Sequence, residues 1–157
     1  MYPRNSYTVD EARKRLERFC VYQERCHQEV QKKLKDMNMI PEAQDQIIVH
    51  LLKHNFLNEE RFAKVFVRGK FRIKKWGKYR LQMELKRRDI GRTIIKNAMS
   101  EINDEDYLET LDEIARKKLS NIKEKHPQKK RKKLADYLMY RGWESGLVYD
   151  KIRELIP

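Results

Sequence analysis

The fold is decided by one ten-residue pattern, Leu81-Gln82-Met83-Glu84-Leu85-Lys86-Arg87-Arg88-Asp89-Ile90, which recurs on both sides of this stretch. Residues 30–39 and 134–143 share its plan: an apolar residue, a second one four positions later, then Asn, Asp or Gly, then a large apolar residue. Apolar residues four apart lie on one helix face, and Asn, Asp or Gly tolerates the left-handed conformation at a helix end. The pattern therefore predicts an amphipathic helix that ends at a left-handed residue and is followed by an apolar side chain.

Each copy of the pattern has helical spacing before and after it, and the helix starts carry their own signals. Thr8 with Glu11 forms a candidate capping box, while Asn58 and Asn103 are candidate N-caps. Pro41 suits the first turn of a helix, where its missing N–H is not needed. No stretch shows the strict alternation of a strand, so the sequence predicts an all-α protein.

The copies are offset by 51 and 53 residues, a spacing typical of a supersecondary repeat. We predict three tandem three-helix repeats at residues 8–57, 58–102 and 103–157. In the third, Leu108 and Leu111 begin the apolar face of the first helix. Because one such repeat buries little core by itself, neighbours are expected to pack in sequence into an elongated, curved helical array.

The charge points to an anionic partner. The 157 residues include 37 Lys and Arg against 24 Asp and Glu, a formal net charge of +13. Residues 61–92, with a local net charge of +11, and residues 116–133, with +9, together carry more positive charge than the whole chain's net. Only two cysteines are present, and neither a long apolar run nor the apolar core of a signal peptide occurs. A protein of the cytoplasm, without membrane contact, is expected.

The first basic segment interleaves its cations with Phe71, Trp76 and Tyr79. Cations with aromatic rings between them can hold phosphates and offer a ring to a base or a pocket. The plainer interpretation is that Phe71 and Tyr79 belong to the core and that the charges form a solvated helix face. For the cluster as a whole, we favour a functional surface.

The second basic segment contains Gln128-Lys129-Lys130-Arg131-Lys132-Lys133 after Pro127, where we expect a connection between helices. Like charges in a row repel one another and tend to keep a segment mobile. A phosphate clamp, a contact for an acidic protein and a solubilising linker are all compatible with this stretch, with a functional role slightly ahead.

The centre of the chain carries three connected pieces: Leu-Asn-Glu-Glu-Arg-Phe-Ala-Lys-Val-Phe-Val-Arg at residues 57–68, Trp-Gly-Lys-Tyr-Arg-Leu-Gln-Met-Glu-Leu at 76–85, and Ile90. Together they resemble the signature of the RecX family. That signature runs from a Leu and acidic or amide residues through Arg-Phe-Ala to a basic stretch with Gly and an Ile-x-x-x-Leu helix. Leu81 stands where Ile is common. The resemblance is strongest over residues 57–95 and extends weakly, through the three-unit plan, over nearly the whole chain.

The resemblance implies a regulator without catalytic activity, cofactor or small-molecule substrate. Such proteins bind RecA, lie along the groove of its filament on single-stranded DNA and hinder filament growth. They thereby curb the ATP hydrolysis, strand exchange and co-protease activities that serve DNA recombination, DNA repair and the SOS response. For this chain, a monomer that also contacts the DNA phosphate backbone non-specifically is expected.

Two sets of residues follow from these considerations. The predicted contacts to RecA or DNA are Arg68, Lys70, Arg72, Lys74, Lys75, Trp76, Lys78 and Arg80, followed by Lys129, Lys130, Arg131, Lys132 and Lys133. The predicted structural signature is Arg61, Phe62, Ala63, Phe66, Gly77, Leu81 and Leu85, with Arg61 expected to pair with a carboxylate.

Other functions fit the sequence less well. Cys20, Cys26 and the histidines at 27, 50 and 54 lack a usual zinc spacing, so we expect no metal site. Residues 103–106 suit a helix start better than a cation site, and no P-loop or catalytic triad motif occurs. The main alternative is a DNA-binding protein that acts without RecA, either non-specific or helix-turn-helix-like with residues 80–92 as recognition helix. A purely protein-binding helical scaffold is the third possibility.

Overall fold

The computed structural model describes residues 6–157, and these contain nine α-helices and no β-strand. The prediction of an all-α protein is thus confirmed. The helices are α1 (Val9–Tyr22), α2 (His27–Asp36), α3 (Pro41–Lys53), α4 (Glu59–Lys74), α5 (Lys78–Arg87), α6 (Arg92–Met99), α7 (Asp104–Asn121), α8 (Pro127–Tyr140) and α9 (Ser145–Leu155).

The predicted helix starts are confirmed in atomic detail. The Thr8 hydroxyl accepts from the Glu11 amide at 3.1 Å, and the Glu11 carboxylate accepts from the Thr8 amide at 2.9 Å. The side chains of Asn58 and Asn103 each accept from the backbone amide three residues later. Pro41 is the first residue of α3. Local side-chain chemistry therefore positions these four helices before any tertiary contact is considered.

The three copies of the fold-deciding pattern end in the same way. Asn38, Asp89 and Gly142 adopt positive φ angles of 59°, 58° and 93°. After each of them, the next amide donates back to the carbonyl five residues earlier, the bond of a Schellman motif. These bonds are Met39 N to Leu34 O at 3.1 Å, Ile90 N to Leu85 O at 3.1 Å and Trp143 N to Leu138 O at 3.2 Å. The three copies thus end equivalently, and α3 ends in the same way at Asn55, with φ 61° and a bond from Phe56 N to Leu51 O at 2.9 Å.

Two local predictions for the third repeat are wrong. Residues 128–133 form the first turns of α8 instead of a connection, because Pro127 begins the helix and Lys132 pairs with Asp136 one turn later at 2.8 Å. In α7, Leu108 is 49% exposed, and the neighbouring Tyr107 points into the core instead.

The helices contact one another in groups of three: α1–α3 (the first unit), α4–α6 (the second unit) and α7–α9 (the third unit). One apolar cluster fills the first unit. A second cluster runs without interruption through the second and third units and takes in Cys26 from the first. The packing is compatible with repeats at 8–57, 58–102 and 103–157, and we keep these boundaries as a proposal.

The exposed area agrees with an elongated shape. The chain exposes 10567 Å², whereas a compact monomer of 19.2 kDa is expected to expose about 8,400 Å². The closest helix contacts lie within the units, and a shared apolar cluster joins the second unit to the third.

Candidate functional site

The second and third units are joined backbone to backbone at two glycines. The Gly77 amide donates to Arg141 O at 2.8 Å, and the Tyr79 amide donates to Gly142 O at 3.0 Å. A Cβ on Gly77 would lie 2.4 Å from Gly142 O, and a Cβ on Gly142 would lie 2.2 Å from the Arg80 Cβ. Since only glycine fits at either position, Gly77 of the predicted structural signature serves to join two units.

The third unit also caps the end of α4. The Arg141 guanidinium donates to Lys74 O at 2.5 Å, and the Trp143 indole N–H donates to Lys75 O at 3.2 Å. Lys75 itself adopts a left-handed conformation with φ 57°. These bonds fix the backbone of Lys74 and Lys75, two of the predicted contact residues, and so fix the points from which their side chains extend.

Tyr107 completes the connection between the units. Its hydroxyl accepts from the Lys78 amide at 2.7 Å and donates to the Glu144 carboxylate. Its ring stacks on Trp143 with centroids 4.4 Å apart. Burial, together with the bond to Glu144, raises the pKa of this phenol, so the hydroxyl stays protonated and keeps donating at any physiological pH.

A basic groove lies beside this connection, between the end of α4, the C-terminal half of α7 and the end of α8. We call it the interunit groove. Its first section encloses about 480 Å³ and is lined by Lys74, Lys75, Lys117, Lys118 and Arg141. One carboxylate, Glu113, lines the same section. The structure thus brings the two basic segments of the sequence, 61–92 and 116–133, to one concave surface.

Tyr137 lies where the first section of the groove meets a second of about 410 Å³. The Lys118 ammonium and the Arg141 guanidinium each lie 4.8 Å from the centre of its ring. The second section adds Lys123 and Lys133. The ring therefore holds two cations at the middle of the groove by cation–π interaction.

The remaining predicted contacts on α4 and α5 are placed elsewhere. Trp76 is half-buried, with the Lys70 ammonium 5.5 Å and the Arg80 guanidinium 4.5 Å from its ring centre. The ring is therefore already engaged by the protein's own cations. Tyr79, in contrast, is 64% exposed, which overturns its interpretation as a core residue. Phe71 packs against the core, as that interpretation expected.

Three of these cations have carboxylate partners: Arg80 lies 3.7 Å from Glu84, and Arg68 and Lys78 pair with residues of the segment before α7 and its first turn. Arg68 bonds Glu101 at 2.7 Å, and Lys78 lies 3.6 Å from Asp104. Arg72 is exposed and has no ion pair with any residue that the structure describes. The eight predicted contacts thus do not form one patch: Lys74 and Lys75 line the interunit groove, and the other six lie around Trp76 or along α4.

The predicted contacts at 129–133 also divide. Arg131 donates to Ile156 O at 3.1 Å and Pro157 O at 3.0 Å, so it fastens the end of α9. Lys133 lies 3.9 Å from Glu124 and lines the second groove section. Lys129 and Lys130 have no ion pair within the described residues.

Sequence reasoning missed Lys117, Lys118, Tyr137 and Arg141 as candidate site residues. Lys117 and Lys118 lie in the second basic segment, so its local charge was a signal for them. Nothing in the sequence indicated that these lysines on α7 would face the end of α4, because that placement depends on the joint between the units.

Arg61 has the structural role that the sequence analysis assigned to it. It bonds the Glu24 carboxylate at 2.5 Å and donates to the carbonyls of Asn55 and Phe56. Phe62, which follows it, is 6% exposed. Of the other signature residues, Ala63, Leu81 and Leu85 are fully buried and Phe66 packs against their cluster. Arg61 thus links the first unit to the second.

The residues considered for a metal site have other contacts. His50 bonds Glu17 at 2.6 Å and packs against the His54 ring, with centroids 4.4 Å apart. Cys20 and Cys26 are buried thiols, and burial raises the pKa of each to about 11. Within residues 6–157, no three His, Cys, Asp or Glu side chains are placed to hold a metal ion, and no helix is long and apolar enough to cross a bilayer.

Comparison with known protein families identifies two of the three units. A model of the second three-helix domain of RecX matches residues 58–99, and a model of the third matches residues 104–152.

Relatives named "Regulatory protein RecX" match most of the chain. The one from Prosthecochloris aestuarii is 30% identical over 149 residues, which cover 93% of this chain and 96% of the relative. The one from Clostridium acetobutylicum is 29% identical and aligns over 81% of this chain and 60% of its own length. The one from Lactobacillus johnsonii is 31% identical over 56% of this chain and 32% of its own length. The chain thus spans less than two thirds of some relatives.

Solved structures show the same fold. A crystal structure of regulatory protein RecX superposes with a TM-score of 0.83 at 22% identity and covers 93% of this chain and 73% of the other. RecX from Lactobacillus salivarius superposes with a TM-score of 0.80 at 20% identity, covering 94% and 96%. The two matched domains and the relative aligned over nearly its full length show that the chain belongs to the RecX family of regulatory proteins.

Proposed function

We propose that this chain is a regulator of RecA that binds the RecA filament on single-stranded DNA and hinders its growth. It thereby lowers the ATPase, strand-exchange and co-protease activities of RecA. We further propose that it acts in the cytoplasm as a monomer, without catalysis of its own. Membership of the RecX family is the observation that carries this proposal.

The physical character of the surface supports it. A filament presents the same protein and phosphate surfaces at regular intervals, so an elongated chain can contact several of them at once. Weak contacts that act together raise the effective concentration of each and give avidity without a deep pocket. The net charge of +13 suits a partner that carries DNA phosphates.

A sequence-specific DNA-binding regulator is the second candidate, and α5 argues against it. The buried Glu84 carboxylate lies 3.7 Å from Arg80, 3.1 Å from Arg87 and 3.1 Å from Arg88. Readout of base edges needs side chains that can turn into the major groove. Three of the arginines of the supposed recognition helix are held instead by one carboxylate of the same helix.

The test is the DNA-dependent ATPase of RecA, titrated with this protein. We expect inhibition at substoichiometric amounts, because one bound molecule can stop the extension of a filament. Filament length measured by electron microscopy should shorten in parallel. If the ATPase rate were unchanged at every ratio while a preferred duplex site were still bound at high salt, the DNA-binding alternative would replace the RecA proposal.

A further inference from the structure

We propose that the interunit groove is the surface that holds the nucleic-acid backbone, with a strand of phosphates running along it past Tyr137. This assignment rests on the proposed function for its biological context. It adds which surface contacts DNA, as distinct from the surface that contacts RecA. No boundary between these two contacts can be drawn from the sequence, where cations occur in both basic segments.

The first reason is uncompensated charge on a concave surface. Five cations and one carboxylate line the first section of the groove. Lys74, Lys75 and Lys117 have no ion pair or side-chain hydrogen bond within the described residues. Like charges this close repel one another, and a groove with low-dielectric walls concentrates their field. A polyanion in the groove would relieve the repulsion and release its own counterions.

The second reason is that the groove is built in advance. Lys74 is the last residue of α4 and Lys75 follows it, and their carbonyls accept from Arg141 and Trp143 across the joint between the units. The joint itself tolerates only glycine at positions 77 and 142. Because the backbone that carries these cations is already fixed, the binding of a ligand loses little further conformational entropy.

The third reason is the shape of the charge distribution. The cations do not converge on one point: they continue past Tyr137 to Lys123 and Lys133 in the second section. Asp136 also lines that section, and its carboxylate is paired with Lys132 at 2.8 Å. A chain of phosphates fits such a line better than a single phosphate does. The Tyr137 ring is already occupied by Lys118 and Arg141, so we expect backbone contacts without base stacking and hence little sequence preference.

The experiment measures the binding of the full chain alone to a fluorescein-labelled oligothymidylate by anisotropy, over a range of salt concentrations. The test variant carries Lys74→Gln, Lys75→Gln and Lys117→Gln. Three lost phosphate contacts should lower the slope of log K against log salt by about 2, since each contributes about 0.7 on single strands. The Kd should therefore rise about 100-fold at 0.1 M salt and converge with that of the unmodified protein near 1 M.

The matched control carries Lys35→Gln, Lys53→Gln and Lys96→Gln. These lysines lie in last helical turns, are exposed and have no side-chain partner among the described residues, and the net charge falls by the same amount as in the test variant. We expect a change of about threefold or less, because charges distant from the ligand are screened. A variant that carries Lys74→Arg, Lys75→Arg and Lys117→Arg should bind as the unmodified protein does.

Each outcome decides the assignment. Equal weakening by both glutamine variants would mean that only the total charge matters, and unchanged binding by the groove variant would mean that the strand lies elsewhere; either result overturns the proposal. Loss of RecA inhibition without loss of oligothymidylate binding would identify the groove as a protein contact and also overturn it. If the groove variant alone lost oligothymidylate binding while the unmodified protein left the RecA ATPase unchanged, the groove would stand and the proposed function would fail.

Discussion

Replacing Gly77 by Ala tests whether the second and third units are joined rigidly. The backbone at Gly77 has φ −76° and ψ 167°, which any residue adopts, so the substitution introduces no backbone strain. The added methyl group would lie 2.4 Å from Gly142 O and 2.5 Å from Trp143 N. Both neighbours are backbone atoms, which cannot rotate away as a side chain can. The segment before α5 and the segment after α8 must therefore move apart.

The magnitude follows from what the separation breaks. The bonds Gly77 N to Arg141 O at 2.8 Å and Tyr79 N to Gly142 O at 3.0 Å would both be lost. Each contributes about 1 kcal/mol net, and an extra methyl in a close-packed contact costs about 1–3 kcal/mol. We therefore expect Gly77→Ala to lower the free energy of unfolding by about 3–5 kcal/mol.

The assay is urea denaturation followed by tryptophan fluorescence and by circular dichroism. Both tryptophans of the chain, Trp76 and Trp143, lie at the joint, so fluorescence reports its opening directly. Gly69→Ala is the control. A Cβ there meets nothing within 4 Å, and alanine inside a helix should stabilise by about 0.5–1 kcal/mol. If Gly77→Ala unfolded at the same urea concentration as the unmodified protein, the joint would not be the close contact described.

Three further effects are expected. Arg61→Ala should destabilise the chain by about 2 kcal/mol in denaturant, because Glu24 loses its partner, and Arg61→Lys should not restore the loss since an ammonium lacks the guanidinium fork. Cys20 and Cys26 should resist a thiol reagent at pH 8 until the protein is unfolded, because burial raises the pKa of each to about 11. Their folded pKa values exceed the unfolded value of 9.0, so the stability they contribute is present below pH 9 and is lost as the pH rises towards 11. Asp112 on α7 accepts hydrogen bonds from Lys151 and Arg116, and these bonds lower the pKa of its carboxyl below 3.8. Asp112→Asn should therefore destabilise the protein at pH 7 and progressively less below pH 3.8, because the contribution of the carboxylate is lost as the pH falls through the folded pKa.

Each of these has a clear contrary result. Full stability in Arg61→Lys would show that charge alone, without the three directed bonds, links the first two units. Labelling of both thiols in the folded protein within seconds would show that the two apolar clusters open easily. A difference between Asp112→Asn and the unmodified protein that did not shrink in acid would mean that Asp112 acts through packing and not through its charge.

Much of the fold was predictable because its signals are local. The left-handed residues Asn38, Asp89 and Gly142 and the apolar residue after each follow from side-chain chemistry within one helical turn. The caps at Thr8 and Asn58 follow from the same kind of short-range bond. Such signals are read from a few consecutive residues, which is why three equivalent helix ends could be predicted from one sequence.

The two errors in the third unit have different causes. Like charge predicted a mobile connection at residues 128–133, yet Pro127 and the pair Lys132–Asp136 favour helix there. Apolar character predicted a buried Leu108, yet Tyr107 takes the core position. Its hydroxyl accepts from the Lys78 amide at the start of α5 and donates to the Glu144 carboxylate just before α9. The first error overlooked two local helix signals, whereas the partners of Tyr107 lie 29 and 37 residues away and are not visible from the sequence.

By itself the sequence determined the helical class, the repeated pattern and, through residues 57–95, the resemblance to the RecX family, and its charge predicted an anionic partner. Only the tertiary structure decided which cations act together. It brought Lys74 and Lys75 beside Lys117 and Lys118 and held Trp76 between two of its own cations. The physical reason is that helix periodicity is encoded within a few residues, whereas the interunit groove depends on two glycines, 65 residues apart in the chain, that let two backbones meet.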